Sequence, residues 1–169
     1  MMKTILLIRH AKSSWSNFSI NDSERPLNER GKKNAPQMAK RLLKKKIAID
    51  AFLSSPASRA LTTAQLFAKE YGYSAKNIIV MPELYMAGHA AFITAISSAP
   101  EEAKTIAVFS HNYGITEFAN SLGVARIDNM PTCSIFAFTA AIDSWQDFNN
   151  SVKTFAFFDS PKAVPGDAD

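Results

Sequence analysis

The chain has 169 residues, of which 47% are hydrophobic and 20% are charged, and it carries a single cysteine, Cys133. This length suits one domain with a hydrophobic core, and the composition excludes a disordered chain, a coiled coil, a disulfide scaffold and a cysteine-based zinc finger. No apolar run reaches the roughly 18–20 residues of a membrane span, and no secretory leader is recognisable at the start. With the lone cysteine, these features predict a cytoplasmic protein without a membrane partner.

The net charge of +4 is unevenly distributed along the chain. Residues 1–46 carry 12 Lys and Arg against 3 Asp and Glu, whereas residues 47–169 carry 7 against 12. A basic first third indicates an anionic partner, which could be nucleic acid, a phosphate ester or an acidic protein. The alternative is a solvated helix face, which we favour for Lys44, Lys45 and Lys46.

Short apolar runs alternate with segments of helical periodicity along most of the chain. In chain order the elements are a strand over 4–8, a long loop over 9–27, a helix over about 28–45, a strand over 49–53, a helix between Pro56 and Gly72, a strand over 77–81, a helix over 90–98, a strand over 105–109, a helix over 114–122, and strands over 134–141 and 152–158. Pro36 would have to lie in a first helical turn, which moves the regular part of the first helix towards Asn34.

The end of the chain departs from this alternation. The polar connection over 143–150 is short and lacks a helical pattern, so we expect an antiparallel hairpin between the last two strands. Residues 160–169 are rich in proline and polar residues and are expected to form a flexible tail. The domain prediction is therefore a single domain over residues 1–159.

Repeated strand–helix units predict an α/β fold of three layers, in which a mostly parallel sheet of about six strands, one of them antiparallel, has helices on both faces. In such folds the functional site lies beyond the carboxyl ends of the strands. Residues that follow the first four strands would bring two arginines, two histidines and one carboxylate to that edge: Arg9, His10, Arg59, Glu83 and His111.

These residue types indicate an anion pocket. Arginine forks fit phosphate oxygens, and their permanent charge would oppose a bound cation, so the set predicts phosphoryl binding without a metal or another cofactor. A neutral His10 could attack phosphorus and become phosphohistidine, while Arg9, Arg59 and His111 stabilise the charge on the phosphoryl oxygens. Glu83 could protonate an alkoxide leaving group and then activate water.

Six short motifs follow one another in an order that is similar to a known family. They are LLIRHAKSSW from Leu6, RPLNERG from Arg25, SSPASRALTTA from Ser54, PELY from Pro82, SHNYGI from Ser110 and NMPT from Asn129. Over residues 4 to about 140 they resemble the histidine phosphatase superfamily, the phosphoglycerate-mutase-like proteins. The chain length and the SHN element resemble its SixA branch, the small phosphohistidine phosphatases.

The resemblance implies a phosphoglycerate-mutase-like fold with His10 as the nucleophile. It implies that Arg9, Arg59 and His111 form the phosphate pocket, and that Glu83 occupies the place of the proton donor in the ester-cleaving branches. The mutases of this superfamily carry insertions that close over the site, for which 169 residues leave no room. An open site that admits a phosphorylated protein is therefore expected.

The sequence departs from the family pattern at several positions. Ala11 replaces a glycine, Lys12 stands where the mutases have an acidic residue, and Tyr113 replaces a proline where it could narrow the mouth of the pocket or stack on a substrate.

Weaker candidates for substrate contact are polar residues near the two histidines. The set is Lys12, Ser13, Asn17 and Asn112. Solvation in the loop is the alternative for Ser13 and Asn17. Arg25 could pair with Asp22 or Glu24.

The leading hypothesis is a metal-independent phosphatase that acts through phospho-His10 on a phosphohistidine protein or a small phosphorylated molecule and releases inorganic phosphate. The alternatives within the same fold are a phosphatase of small phosphate esters and a phosphate- or phosphoprotein-binding module without turnover. A nucleic-acid binder that uses the basic first third is less favoured, and a metal hydrolase built on His10, His89 and His111 is the least favoured.

Overall fold

A computed structural model describes residues 1–17 and 19–162 of the chain. The strands are β1 (Lys3–Arg9), β2 (Ala51–Ser54), β3 (Ile79–Val80), β4 (Thr105–Ser110), β5 (Ile135–Ala140) and β6 (Lys153–Asp159). The α-helices are α1 (Glu29–Lys44), α2 (Ser58–Glu70), α3 (His89–Ser97) and α4 (Gly114–Ser121). Shorter 3-10 helices cover Asp22–Glu24, Ala75–Asn77, Pro82–Leu84 and Trp145–Asn150.

The six strands form one mixed sheet in the order β3-β2-β4-β1-β5-β6. The pairs β1–β4, β4–β2 and β2–β3 are parallel, whereas β5 is antiparallel to both β1 and β6. This arrangement confirms the prediction of a mostly parallel sheet with one antiparallel strand, and it confirms the hairpin at the end of the chain.

Two hydrophobic layers cover the two faces of the sheet, because successive side chains of a strand point to opposite faces. Ile5 and Leu7 of β1 pack with residues of α3 and α4, whereas Leu6 and Ile8 pack with residues of α1 and α2. The helices therefore lie on both faces, and the three predicted layers are confirmed.

The first helix begins earlier than the position of Pro36 suggested. Asn28 caps α1 by accepting the N–H of Gly31 at 2.9 Å, and the helix runs from Glu29 through Pro36 without a break. The proline leaves the Lys32 carbonyl without its helical partner, and because Lys32 is exposed, water can take that place. Burial of the helix face, which contains Ala35, Met38, Ala39 and Leu42, outweighs this loss.

Several further boundaries differ from the sequence predictions, most by one or two residues, as for β2, which is Ala51–Ser54 rather than 49–53. Helix α2 begins at Ser58, two residues after Pro56. The third strand is only Ile79–Val80, because Ala75–Asn77 forms a 3-10 turn. The hairpin connection contains the 3-10 helix Trp145–Asn150, in which Trp145 and Phe148 share one face and are fully buried.

The end of the described chain is held against α1. Arg41 donates to the carboxylate of Asp159 at 3.1 Å, to the carbonyl of Ser160 at 2.7 Å and to that of Pro161 at 2.9 Å. The rest of the tail prediction, residues 163–169, lies outside the described residues, and the single-domain boundary stays a prediction. In the part of the chain that the structure covers, no helix is long and apolar enough to cross a membrane.

The sheet brings the ends of its central strands together. Arg9 of β1 pairs in register with Ser110 of β4, and the N–H of His10 donates to the Ser110 carbonyl at 3.1 Å. The N–H of Ser55, directly after β2, donates to the Phe109 carbonyl at 3.0 Å. The residues after β1, β2 and β4 therefore start from neighbouring positions at one edge.

Gly31 allows the loop after β1 to lie directly on α1, and this contact yields a test. A Cβ at Gly31 would lie 2.2 Å from the backbone oxygen of Lys12. We expect Gly31→Ala to lower the free energy of unfolding by about 1–3 kcal/mol, despite the higher helix propensity of alanine. Urea denaturation followed by circular dichroism measures this change.

The matched control is Gly88→Ala, because a Cβ at Gly88 meets nothing within 4 Å. Gly88 is the N-cap of α3, and the control is expected to change the free energy of unfolding by less than about 1 kcal/mol. Equal losses in the two variants would contradict the importance of the close approach at Gly31.

Candidate active site

His10 is held in one orientation by the backbone. It follows β1 directly, is 6% exposed, and its Nδ1 lies 2.7 Å from the carbonyl oxygen of Ala11. A carbonyl oxygen can only accept a hydrogen bond, so Nδ1 carries the proton and donates it. The lone pair of the neutral ring is therefore on Nε2, which is the atom available to attack phosphorus.

Burial keeps both histidines of the site neutral. Burial, together with the charges of Arg59 and Arg9, lowers the pKa of His10 to about 4. Burial, His10 and the Arg59 charge lower the pKa of His111 to about 3. The ring centroids of the two histidines are 5.2 Å apart. At neutral pH the ring of His10 therefore carries the free lone pair that a nucleophile needs, and no general base is required to deprotonate it.

Two arginines of the site are anchored at one end and unsatisfied at the other. Arg9 donates from Nη1 to the Met130 carbonyl at 2.7 Å. Arg59 donates from Nη1 to the Asp22 carbonyl at 2.7 Å and from Nη2 to the Asp22 carboxylate at 3.0 Å. The Nε atoms of Arg9 and Arg59 are buried and have no partner among the described residues. An unpaired buried N–H costs about 1–3 kcal/mol, so these atoms suit an oxyanion that would satisfy them.

His111, like the two arginines, has one nitrogen with a hydrogen-bond partner and one without. Its Nε2 lies 2.7 Å from the hydroxyl oxygen of Ser55, and its Nδ1 is buried without a partner in the described structure. The Ser55 oxygen accepts the N–H of Ala57 at 3.2 Å, which leaves the Ser55 hydrogen free to be donated to Nε2. In that tautomer Nδ1 carries the ring proton and becomes a third unsatisfied donor.

Asp22 is the main residue of the site that sequence reasoning missed. Its carboxylate accepts from Arg25 Nε at 3.1 Å, from Arg59 Nη2 at 3.0 Å and from the Tyr85 hydroxyl at 2.7 Å. Burial alone would raise the pKa of Asp22, but the three donors outweigh it and lower the pKa to about 2. The spacing of Asp22 and Arg25 indicated their ion pair, whereas nothing in the sequence indicated the bond to Arg59.

Thr63 ties the loop after β1 to α2. Its fully buried hydroxyl oxygen accepts the N–H of Ala11 at 3.0 Å and donates its hydrogen to the Arg59 carbonyl at 2.7 Å. Because Ala11 in turn accepts the proton of His10 Nδ1, one hydroxyl fixes the position of His10 relative to the helix that carries Arg59. Thr63 lies in the SSPASRALTTA motif, but nothing in that motif indicates a hydrogen bond to the loop after β1.

The weaker candidates for substrate contact have protein partners or lie in solvent. Ser13 is buried and accepts from Arg25 at 2.7 Å. Asn17 is exposed and accepts from Ser19, and Lys12 is half-buried. Their contacts with a substrate stay predictions.

Two other predicted residues form no hydrogen bond with the unsatisfied donors in the described structure. The side chain of Asn112 bridges Asn129 and Thr116, so both of its polar ends are occupied. Glu83 is exposed in the turn Pro82–Leu84 and forms no hydrogen bond or ion pair with another described residue. Its role as an acid stays a prediction.

The three-histidine set of the metal-hydrolase alternative is not assembled. His89 lies against Ser121 and Phe118, whereas His10 and His111 contact each other. Within residues 1–17 and 19–162, no group of three or more His, Cys, Asp and Glu side chains could hold a metal ion.

Aromatic side chains contact two residues of the site or its surroundings, Arg25 and His111. The Arg25 guanidinium carbon lies 3.5 Å from the centre of the Trp15 ring, which is 60% exposed. Tyr85 stands edge-on to His111 with ring centroids 5.5 Å apart, and Tyr113 is 77% exposed. Flat side chains with exposed surface therefore lie close to the buried residues of the site.

Comparisons with known proteins agree with this geometry. Residues 5–85 match the family described as the histidine phosphatase superfamily, branch 1. The chain is also 30% identical over 154 residues to an uncharacterized chloroplastic protein of Arabidopsis thaliana, and the match covers 86% of this chain and 70% of that protein.

Solved structures share the fold. The SixA protein of Nakamurella multipartitia superposes with a TM-score of 0.77 at 20% identity, covering 96% of this chain and 98% of that one. The protein histidine phosphatase SixA complexed with tungstate superposes with a TM-score of 0.77 at 22% identity, covering 94% and 97% of the two chains. The phosphoglycerate-mutase-like fold expected from the sequence is thereby confirmed. The chain belongs to the histidine phosphatase superfamily and is a phosphatase.

Proposed function

We propose that this phosphatase hydrolyses its substrates through a phosphohistidine intermediate on His10, that it needs no metal ion, and that its preferred substrate is phosphohistidine in a protein. One observation carries the proposal. The Nε2 lone pair of a neutral His10 lies in a site with three buried nitrogen atoms, on Arg9, Arg59 and His111, that have no partner among the described residues. A nucleophile and a set of unsatisfied donors are what phosphoryl transfer requires.

The reaction proceeds in two displacements. Nε2 of His10 attacks phosphorus, and the bond to the leaving group breaks, with its electron pair going to the leaving group. Water then attacks phosphorus from the vacated side, the P–N bond breaks, and its electron pair returns to Nε2 as phosphate and a proton are released. In both steps Arg9, Arg59 and His111 donate hydrogen bonds to the phosphoryl oxygens as their charge redistributes.

The preference for phosphohistidine is supported by the position of the candidate acid, which is not held within the pocket. An alkoxide needs a proton from a well-placed acid as it leaves, whereas imidazole is a better leaving group. Glu83, the candidate acid, is exposed and is not bonded to any residue of the pocket. This arrangement supports a substrate that depends little on acid catalysis, and the exposed Trp15 and Tyr113 suit a site reached by a large partner.

A second candidate substrate class is a small phosphate ester. A cavity of about 620 Å³ lies beside Arg9 and is lined by polar side chains that include Asn112, Asp128 and Asn129. Such a cavity could hold the polar leaving group of a small molecule. We rank this class second, because it depends more strongly on an acid.

We propose a reducing compartment, with the cytoplasm as the first choice. The support is the lone Cys133, which is buried and free. The chloroplastic name of the Arabidopsis relative concerns that protein and offers a second reducing compartment to test.

His10→Asn tests the nucleophile. The amide cannot form the phosphorylated intermediate, so we expect kcat to fall by about 10³-fold or more, whereas EDTA leaves wild-type turnover unchanged. His89→Asn, at an exposed histidine outside the pocket, is the matched control and should keep wild-type activity. Wild type quenched in alkali, which preserves the acid-labile P–N bond, should carry a labelled phosphoryl group that His10→Asn lacks, and equal hydrolysis by the two proteins would refute the mechanism.

Glu83→Gln separates the two substrate classes. If Glu83 protonates alkoxide leaving groups, the variant should lose about 10²-fold in kcat on an alkyl phosphate and should keep turnover of a phosphohistidine protein. The measurement is phosphate release from both substrates by wild type and variant. A higher wild-type kcat/KM for the ester than for the phosphohistidine protein would reverse our ranking.

The buried histidines predict a dependence of stability on pH. The pKa values of His10 and His111 are lowered in the folded chain to about 4 and about 3, below the value of about 6.5 in an unfolded chain. Between these values the unfolded chain binds protons that the folded chain excludes, so stability falls as pH falls from about 6.5 towards 4.

We expect the Tm of wild type to decline between about pH 7 and pH 5, and the double variant His10→Asn, His111→Asn to decline less. His89→Asn should follow wild type, because His89 is exposed. Thermal denaturation at matched ionic strength measures the slopes. A double variant with the wild-type slope would show that other groups control the acid sensitivity.

A further inference from the structure

We propose that Asp22 is a positioning residue of the phosphoryl pocket, which orients the Arg59 guanidinium so that its Nε–H faces the transferred group and which couples Arg59 to Arg25 and Tyr85. The inference rests on the proposed function, since it concerns the same pocket. It assigns a role to a side chain of the loop over residues 9–27.

The geometry around Arg59 is the first argument. Both terminal nitrogens of its guanidinium bind Asp22, one at the backbone carbonyl at 2.7 Å and the other at the carboxylate at 3.0 Å. A guanidinium is planar, so fixing both terminal nitrogens fixes the direction of the remaining Nε–H. That Nε is the buried donor without a described partner. Asp22 thus determines where the free donor of Arg59 points.

The same carboxylate also joins three separate segments of the chain. Its Oδ1 accepts from Arg25 at 3.1 Å, and its Oδ2 accepts from the Tyr85 hydroxyl at 2.7 Å as well as from Arg59. Arg25 is held in turn by the Ser13 hydroxyl at 2.7 Å. The loop after β1, the start of α2 and the turn after β3 therefore meet at one carboxylate.

Exposure and charge complete the argument. The Asp22 side chain is 47% exposed, whereas those of Arg25 and Arg59 are 9% and 8% exposed, so the carboxylate lies at the entrance with the arginines behind it. Hydrogen bonds from Tyr85, Arg59 and Arg25 keep the pKa of Asp22 low, so the carboxylate is ionised at neutral pH. An ionised carboxylate has no proton for a leaving group, so Asp22 acts through the arginines rather than as an acid.

Loss of the carboxylate should therefore change kcat more than KM. Misalignment of Arg59 weakens ground-state binding, but removal of a negative charge beside the phosphate strengthens it, so these effects oppose each other in KM. In the transition state charge shifts on the phosphoryl oxygens, and a misaligned Arg59 stabilises that charge less, so kcat falls. Because the defect lies in the phosphoryl pocket, it should be the same for every leaving group.

The test compares Asp22→Asn with Glu24→Gln, which removes one charge from the same turn at an exposed side chain without a described partner. Each protein is assayed with aryl and alkyl phosphates of graded leaving-group pKa. We expect Asp22→Asn to lose about 10- to 100-fold in kcat by one common factor, with KM changed by less than about threefold. Glu24→Gln should stay within about twofold of wild type.

Tyr85→Phe provides a second, milder variant that keeps the proposal testable if Asp22→Asn folds poorly. The variant removes one donor to the Asp22 carboxylate, so kcat should fall by about two- to fivefold, equally for all leaving groups. In the Asp22→Asn background Tyr85→Phe should have no further effect, because the bond it removes is already altered. Independent effects of the two changes would overturn the coupling.

The remaining outcomes are distinct. Asp22→Asn kinetics equal to those of Glu24→Gln would overturn the positioning role and leave the proposed function intact. A loss that grows with leaving-group pKa would overturn it in favour of proton donation by Asp22. An inactive wild type on every phosphorylated substrate, the phosphohistidine protein included, would overturn the proposed function and this inference together.

Discussion

The parallel pairing of β1 with β4 sets Arg9 opposite Ser110, and the backbone bond from His10 to the Ser110 carbonyl extends that pairing by one residue. The two catalytic candidates His10 and His111 thus leave the sheet from adjacent positions, with their rings 5.2 Å apart. A shift of this register by one residue would turn every side chain of β1 to the other face and separate the histidines. The buried residues on both faces of β1 therefore hold the pocket in place as well as the core.

The arginines and histidines of the pocket can lie close together because part of their positive charge is removed or balanced. The two histidines contribute no charge, since burial lowers their pKa values far below neutrality. Asp22 places a full negative charge between Arg25 and Arg59. The remaining positive charge, together with the buried nitrogens that have no partner in the described structure, favours an anion in the pocket. Preorganised donors of this kind need no rearrangement during the reaction.

The strand ends that build the pocket could be predicted from the sequence, because hydrophobic periodicity determines the strands and parallel topology brings their carboxyl ends to one edge. The Arg59–Asp22 contact could not be predicted, because a loop has no periodicity and its path depends on tertiary contacts. Proline is disfavoured in the interior of a helix, but packing overrides this tendency at Pro36, because the buried face of α1 holds the helix through the proline. The 3-10 helix Trp145–Asn150 was missed because its period of three places only two apolar residues, Trp145 and Phe148, in the core.

The stacking of Arg25 on Trp15 gives the protein a built-in optical reporter. The chain has two tryptophans, of which Trp145 is fully buried and hydrogen-bonded to the Ala103 carbonyl, whereas Trp15 is exposed, with a guanidinium 3.5 Å from its ring. Indole emission depends on nearby charge and solvent, so an anion bound close to Arg25 is expected to change the signal of Trp15 more than that of the buried Trp145. Occupancy of the site can therefore be followed in the unlabelled protein, without turnover and with Trp145 as an internal reference.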